Sequence, residues 1–156
     1  NTYIQIMRHL VILVYLIVFK SLTHQYEANN ILIKHPIIKI PTESSELAAG
    51  YLIIENNSKN DIKLLNLESK VSEIQEIHEV VVDDNIYKMR PVKSAITIKS
   101  NSKIVFKPKS YHIMFLNLKE KLESNGFYDA KLIFSENLAI NIKFKVVIGS
   151  HSHTHD

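Results

Sequence analysis

From Ile31 onward, short β-branched runs alternate with clusters of Asn, Asp, Ser and Pro, and almost nothing repeats at the 3.6-residue period of a helix. The runs are 37–40, 51–56, 62–67, 74–82, 86–90, 95–99, 103–106, 112–116, 128–134 and 139–148. Between them lie Asn56-Asn57-Ser58-Lys59-Asn60-Asp61, Asp83-Asp84-Asn85, Ser100-Asn101-Ser102, Ser124-Asn125-Gly126 and Glu136-Asn137. Such side chains bond their own backbone or tolerate a positive φ. Turn signals every 8 to 12 residues or so, without an intervening helix, predict an antiparallel all-β sandwich or barrel and not βαβ units. Residues 119–123 are the one place where a helical turn fits. With no internal repeat and no interior linker, a single domain over 31–148 is the economical reading.

Composition narrows the function. The chain has three glycines, Gly50, Gly126 and Gly149, too scattered for the Gly-rich loops that cradle phosphates. It has no cysteine, which excludes a disulfide scaffold, a Cys-based zinc site, a thiol nucleophile and a type-1 copper centre. There is neither a G-x-S-x-G motif nor a paired-carboxylate motif, so the expectation is a protein that is not an enzyme. The net charge of +3 comes from 19 basic and 16 acidic residues. Residues 1–23 hold Arg8 and Lys20 and no acid, so without those two the rest has 17 basic residues against the same 16 acids. There the lysines are interspersed with acids and apolar residues, which is not the stripe a nucleic-acid binder carries.

The N-terminal segment reads as an export signal. Met7-Arg8-His9 precedes ten apolar residues, Leu10 to Phe19, and then Lys20 and a polar stretch. A helix of ten residues spans about half of a roughly 30 Å hydrocarbon core, whereas a signal h-region has about this length. Ser21 and Thr23 stand at −3 and −1 for a cut after Thr23. Residues 1–23 are therefore a signal peptide or an uncleaved membrane tether, with a buried N-terminal strand or helix as the alternative, and the expected location is the periplasm.

Four residues stand out as chemistry: His78, Met89, His112 and Met114. In His112-Ile113-Met114 the first and third side chains share one strand face. A two-residue turn at Asp83-Asp84 predicts that His78 lies directly opposite Met89, with Cβ atoms about 4.5–5.5 Å apart. Two imidazoles with two thioethers favour Cu(I) over Zn(II), Mg(II) or Ca(II), and thioethers do not oxidise to disulfides in the periplasm. Taken singly, each residue is more readily a core or surface residue.

Together they resemble a known family. Ala48-Ala49-Gly50-Tyr51-Leu52-Ile53-Ile54-Glu55-Asn56, His78 with Met89 ten intervening residues later, Met89-Arg90-Pro91-Val92 and Tyr111-His112-Ile113-Met114 look like the periplasmic copper chaperones called PCuAC (DUF461), whose pattern is H-x10-M-x21-H-x-M. The resemblance covers roughly residues 31–147. It implies a cupredoxin-like Greek-key β-sandwich that binds one Cu(I) through His78, Met89, His112 and Met114. It further implies delivery to a copper-accepting protein, a cytochrome c oxidase subunit or a Sco-like assembly factor. Three departures accompany it. Twenty-two residues separate Met89 from His112, and the extra one is placed in the Lys93-Ser94-Ala95 turn. Pro108-Lys109-Ser110 replaces the usual Pro-Gly, and Val80 stands where some members carry a further Met.

Residues 149–156 form a short tail in which His151, His153 and His155 alternate with polar residues. Such a tail can bind Cu(II) or Zn(II), or it is a solvated tail or tag remnant. His9, His24 and His35 are read as incidental. The competing functions are an exported adhesion or assembly sandwich that binds no metal, and a periplasmic copper buffer using the same site.

Overall fold

The computed structural model describes residues 25–149, so the signal-like segment and the histidine tail lie outside the described residues. Eleven strands follow one another: β1 (Gln25–Ala28), β2 (Ile31–Ile40), β3 (Leu47–Asn56), β4 (Ile62–Ser69), β5 (Ser72–Asp83), β6 (Ile86–Pro91), β7 (Ile96–Ile98), β8 (Ser102–Phe106), β9 (His112–Leu118), β10 (Phe127–Phe134) and β11 (Ala139–Ile148). No described residue is helical. Nine of the ten runs read from the sequence fall within a strand, and the tenth, 95–99, overruns β7 by one residue at each end. The suggested helical turn at 119–123 is absent, because the Lys119 amide donates to the Val71 carbonyl at 2.9 Å and Leu122 is drawn into the core at 1% exposure.

The strands join in the order β6-β5-β9-β3-β2-β11-β10-β4-β7, with β1 on β2 and β8 on β3. Strand β3 is shared: Leu47–Gly50 pair with β9, and Leu52–Asn56 pair with β8. Every pair is antiparallel except β2 with β11, which is parallel over Ile37–Ile40 and departs from the all-antiparallel expectation. Strand burial follows the two-residue period: in β3, Ala48, Gly50, Leu52 and Ile54 point inward while the residues between them are partly exposed. The core holds Phe106, Phe115, Phe134 and Phe144, with Phe115 edge-on to Phe144 at 5.6 Å.

Two features explain where the sequence reading of the edges stopped short. Strand β2 starts six residues before the run at Ile37, because a bulge between Lys34 and Ile37 reverses its parity. Ile31 and Ile33 point inward before it, and Pro36, Ile38 and Ile40 after it. His35 takes the left-handed φ of 51° that such a bulge requires. Strand β1, not foreseen in a polar stretch, is attached to β2 through Asn29-Asn30, both left-handed (φ 49° and 62°). Asparagine does this throughout: seven of the eleven described non-glycine residues with positive φ are Asn, and no glycine has a positive φ. The Asn-rich punctuation substitutes for the scarce glycines.

Candidate metal centre

Strand β9 lies between β5 and β3. Across it, Ala49, Met114 and Glu76 form one row of facing residues, and His112 faces His78 in the next. Alternation sends Ile113 and Phe115 into the core at 1% and 0% exposure and puts His112 and Met114 on the other face of the sheet. On that face His112 is still buried, at 6% exposure, and Met114 is half-buried.

The β5–β6 hairpin corrects one expectation. Its turn is Asp84-Asn85, with φ of 50° and 62°, so Asp83 pairs with Ile86, His78 faces Pro91, and Met89 faces Val80. Within Asp83-Asp84-Asn85 the chain puts the pair containing Asn at the two left-handed positions, as a type I′ turn prefers. The register differs from the expected one by two residues and not one, so parity survives. Met89 stays on the face of His78, on the diagonal of the pairing grid and within reach of a long side chain. His78, Met89, His112 and Met114 therefore share one face of the β6-β5-β9 sheet. Met89 is the open member, 68% exposed. Lys93, Ser94 and Ala95 lie outside any strand, between β6 and β7.

The two imidazole rings stand 5.7 Å apart between centroids and 59° from coplanar. With metal–nitrogen bonds of about 2.0–2.1 Å, one ion fits between rings so spaced. Both rings are anchored. His112 Nδ1 lies 2.9 Å from the Ser110 carbonyl oxygen, which can only accept, so Nδ1 carries the proton and Nε2 keeps its lone pair. His78 Nε2 lies 2.7 Å from the Glu76 carboxylate. Glu76 was not singled out by sequence reasoning; the signal present was its spacing of two from His78, which puts both on one strand face. Among the described residues no three His, Asp or Glu side chains are grouped so as to hold a metal. The further donors beside the two imidazoles on the shared face are the thioethers of Met89 and Met114, which are soft and uncharged.

The ion pairs of the hairpin lie away from the four residues. Asp83 binds Lys88 at 2.7 Å and approaches Arg90 at 3.8 Å, all on the opposite face of the hairpin. The site face instead exposes Leu47, Ile74, Val82, Tyr87 and Met89, at 44–68%. Lys109, at φ 61°, carries its Nζ 5.8 Å over the Tyr87 ring, so the loop before His112 leans toward the hairpin. On the same face of β3, burial raises the Tyr51 phenol above its ordinary pKa.

The model of the LpqE-like family matches residues 31–146. Protein RP573 of Rickettsia prowazekii (strain Madrid E) is 30% identical over 112 residues, 71% of this chain, and the chain spans about three-fifths (61%) of that relative's length. Among solved structures, the copper-bound PCuAC domain from PmoF2 superposes with a TM-score of 0.67 at 18% identity, covering 81% of this chain and 99% of that one. The Cu(I) form of DR1885 from Deinococcus radiodurans superposes at 0.58 with 16% identity, covering 75% of this chain and 76% of that one.

Proposed function

The chain belongs to the LpqE-like family, one of the PCuAC/DUF461 type, and has the fold of PCuAC domains; on that premise we propose that it is a periplasmic copper chaperone. It holds one Cu(I) through His78, Met89, His112 and Met114 and passes it to a copper-accepting protein, a cytochrome c oxidase subunit or a Sco-like assembly factor. The observation that carries the reading is the convergence of these four side chains on one sheet face with two anchored imidazoles 5.7 Å apart. A site without thiolate releases its ion more readily than a cysteine site, and Met89, the exposed member, is the thioether an acceptor meets first. The exposed apolar residues around it supply a surface for that acceptor to cover. His151, His153 and His155 offer a second, weaker site for Cu(II).

Met114→Leu tests the reading. The change conserves volume and apolarity and removes the sulfur, so stability shifts by less than about 1.5 kcal/mol. Cu(I) affinity falls by more than about tenfold, the smaller loss that removing even an outer partner of a ligand causes. Unchanged Cu(I) binding together with a lower melting temperature makes Met114 a packing residue and overturns the assignment.

A further inference from the structure

The two imidazoles are anchored through opposite nitrogens. His112 donates from Nδ1 to the Ser110 carbonyl, whereas His78 meets the Glu76 carboxylate through Nε2. We propose that Glu76 is a positioning residue that holds His78 in the Nε2–H form, so that the site takes its metal through Nδ1 of His78 and Nε2 of His112. The inference rests on the Cu(I) reading above and specifies how the site is built.

The geometry supports this at three levels. A carboxylate oxygen accepts, so a contact of 2.7 Å puts a proton on Nε2 and leaves Nδ1 as the lone-pair nitrogen of the neutral ring. Glu76 is placed by register and not by chance of a mobile side chain: it precedes His78 by two residues on one strand and faces Met114 across β9. It thus sits in the row beside the imidazole pair, on the same face. The contact is partly sheltered, the side chain of His78 being 17% exposed and that of Glu76 37%. A carboxylate behind a ligating histidine fixes the tautomer and orientation of the ring. Here it also puts one negative charge beside a site whose four ligands are neutral, matching the single positive charge of Cu(I).

Glu79 provides the internal control. It lies one residue beyond His78, so its side chain is on the opposite face, where it pairs in register with Arg90. Removing it changes the net charge as removing Glu76 does, without touching the imidazole.

The test combines long-range proton–nitrogen NMR of the imidazoles with anaerobic Cu(I) titration of the full chain, wild type and the variants Glu76→Ala, Glu76→Gln and Glu79→Ala. In the wild type, His78 is expected as the Nε2–H form without metal, and Cu(I) is expected to shift its Nδ1 resonance and the Nε2 resonance of His112. Glu76→Ala is expected to lose the preference for one tautomer of His78 and to weaken Cu(I) binding by about ten- to a hundredfold. Glu76→Gln, which keeps an acceptor oxygen, is expected to recover most of both, and Glu79→Ala to alter neither. Coordination through Nε2 of His78 in the wild type, or Glu76→Ala with unaltered affinity and tautomer, overturns the positioning role while leaving the Cu(I) reading intact. A wild type that takes up no Cu(I) overturns both.

Discussion

Gly50 shows how a residue with no polar group controls the site. It faces Ile113, the residue between His112 and Met114, and a Cβ built there meets Phe115 Cε2 at 2.8 Å and Ile113 Cβ at 3.1 Å. Both neighbours are fully buried and cannot swing away, so β9 itself has to move. Gly50→Ala is expected to cost about 1–3 kcal/mol in chemical denaturation, the usual penalty of overpacking. It is also expected to weaken Cu(I) binding, although Gly50 touches no metal. Lys109 is the converse case. A non-glycine residue in the left-handed region carries about 1–2 kcal/mol of strain, and glycine costs about 0.4–1 kcal/mol more in unfolded-chain entropy. Lys109→Gly is therefore expected to raise stability by up to about 1.5 kcal/mol, read as a higher denaturation midpoint. The sequence marks this position through the Pro-Gly of the family it resembles, which Pro108-Lys109-Ser110 replaces. Glu76 is not so marked, because a carboxylate near a histidine on a strand is an ordinary surface pattern until the distance is known.

At the scale of elements, alternation of apolar residues and the Asn/Asp turn signals located ten strands. They failed where a position depended on a single backbone state. In Asp83-Asp84-Asn85 all three residues tolerate the left-handed region, so the sequence alone does not say which two form the turn, and the register was misplaced by two. The bulge at His35 was hidden because a lone histidine within a run of apolar residues carries none of the Gly or Asn signal that marks a left-handed position. Loops, too, are tied down by specific groups. Asp61, at the end of the loop between β3 and β4, accepts from the Ser100 amide at 2.8 Å and pairs with Lys99 at 3.3 Å, joining that loop to the one between β7 and β8. The Ser100 N–H, followed by Lys99, holds the Asp61 carboxyl below its ordinary pKa. A depressed carboxyl contributes stability above its unfolded value that is lost as pH falls through the folded one. Thermal melts are expected to fall on the acid side, below about pH 4, more steeply for the wild type than for Asp61→Asn, which has no charge to lose. Equal acid slopes for the two proteins contradict this.

At the scale of the whole molecule, the all-β class was legible because it follows from local periodicity. The parallel pairing of β2 with β11 was not, because it joins strands about a hundred residues apart that carry no mark of each other. The site occupies an intermediate position. Its four residues lie on three strands, and sequence reasoning brought them together through a spacing pattern and strand parity, both of which survive a two-residue error in register. That robustness follows from the two-residue side-chain period: any even slip preserves the face. The fold thus delivers two imidazoles and two thioethers to one surface, with the exposed Met89 at its open side and the ion pairs of the hairpin turned away from it.

The most direct test of this account is an anaerobic Cu(I) titration of the full chain against a competing chromophoric chelator, repeated on a variant lacking residues 150–156. Gly149 is retained because its amide donates to the Ile40 carbonyl at 2.9 Å. The account expects one tight equivalent in both proteins, abolished by His112→Ala. Competition that disappears with the tail contradicts it, leaving a chain that binds metal only through His151, His153 and His155.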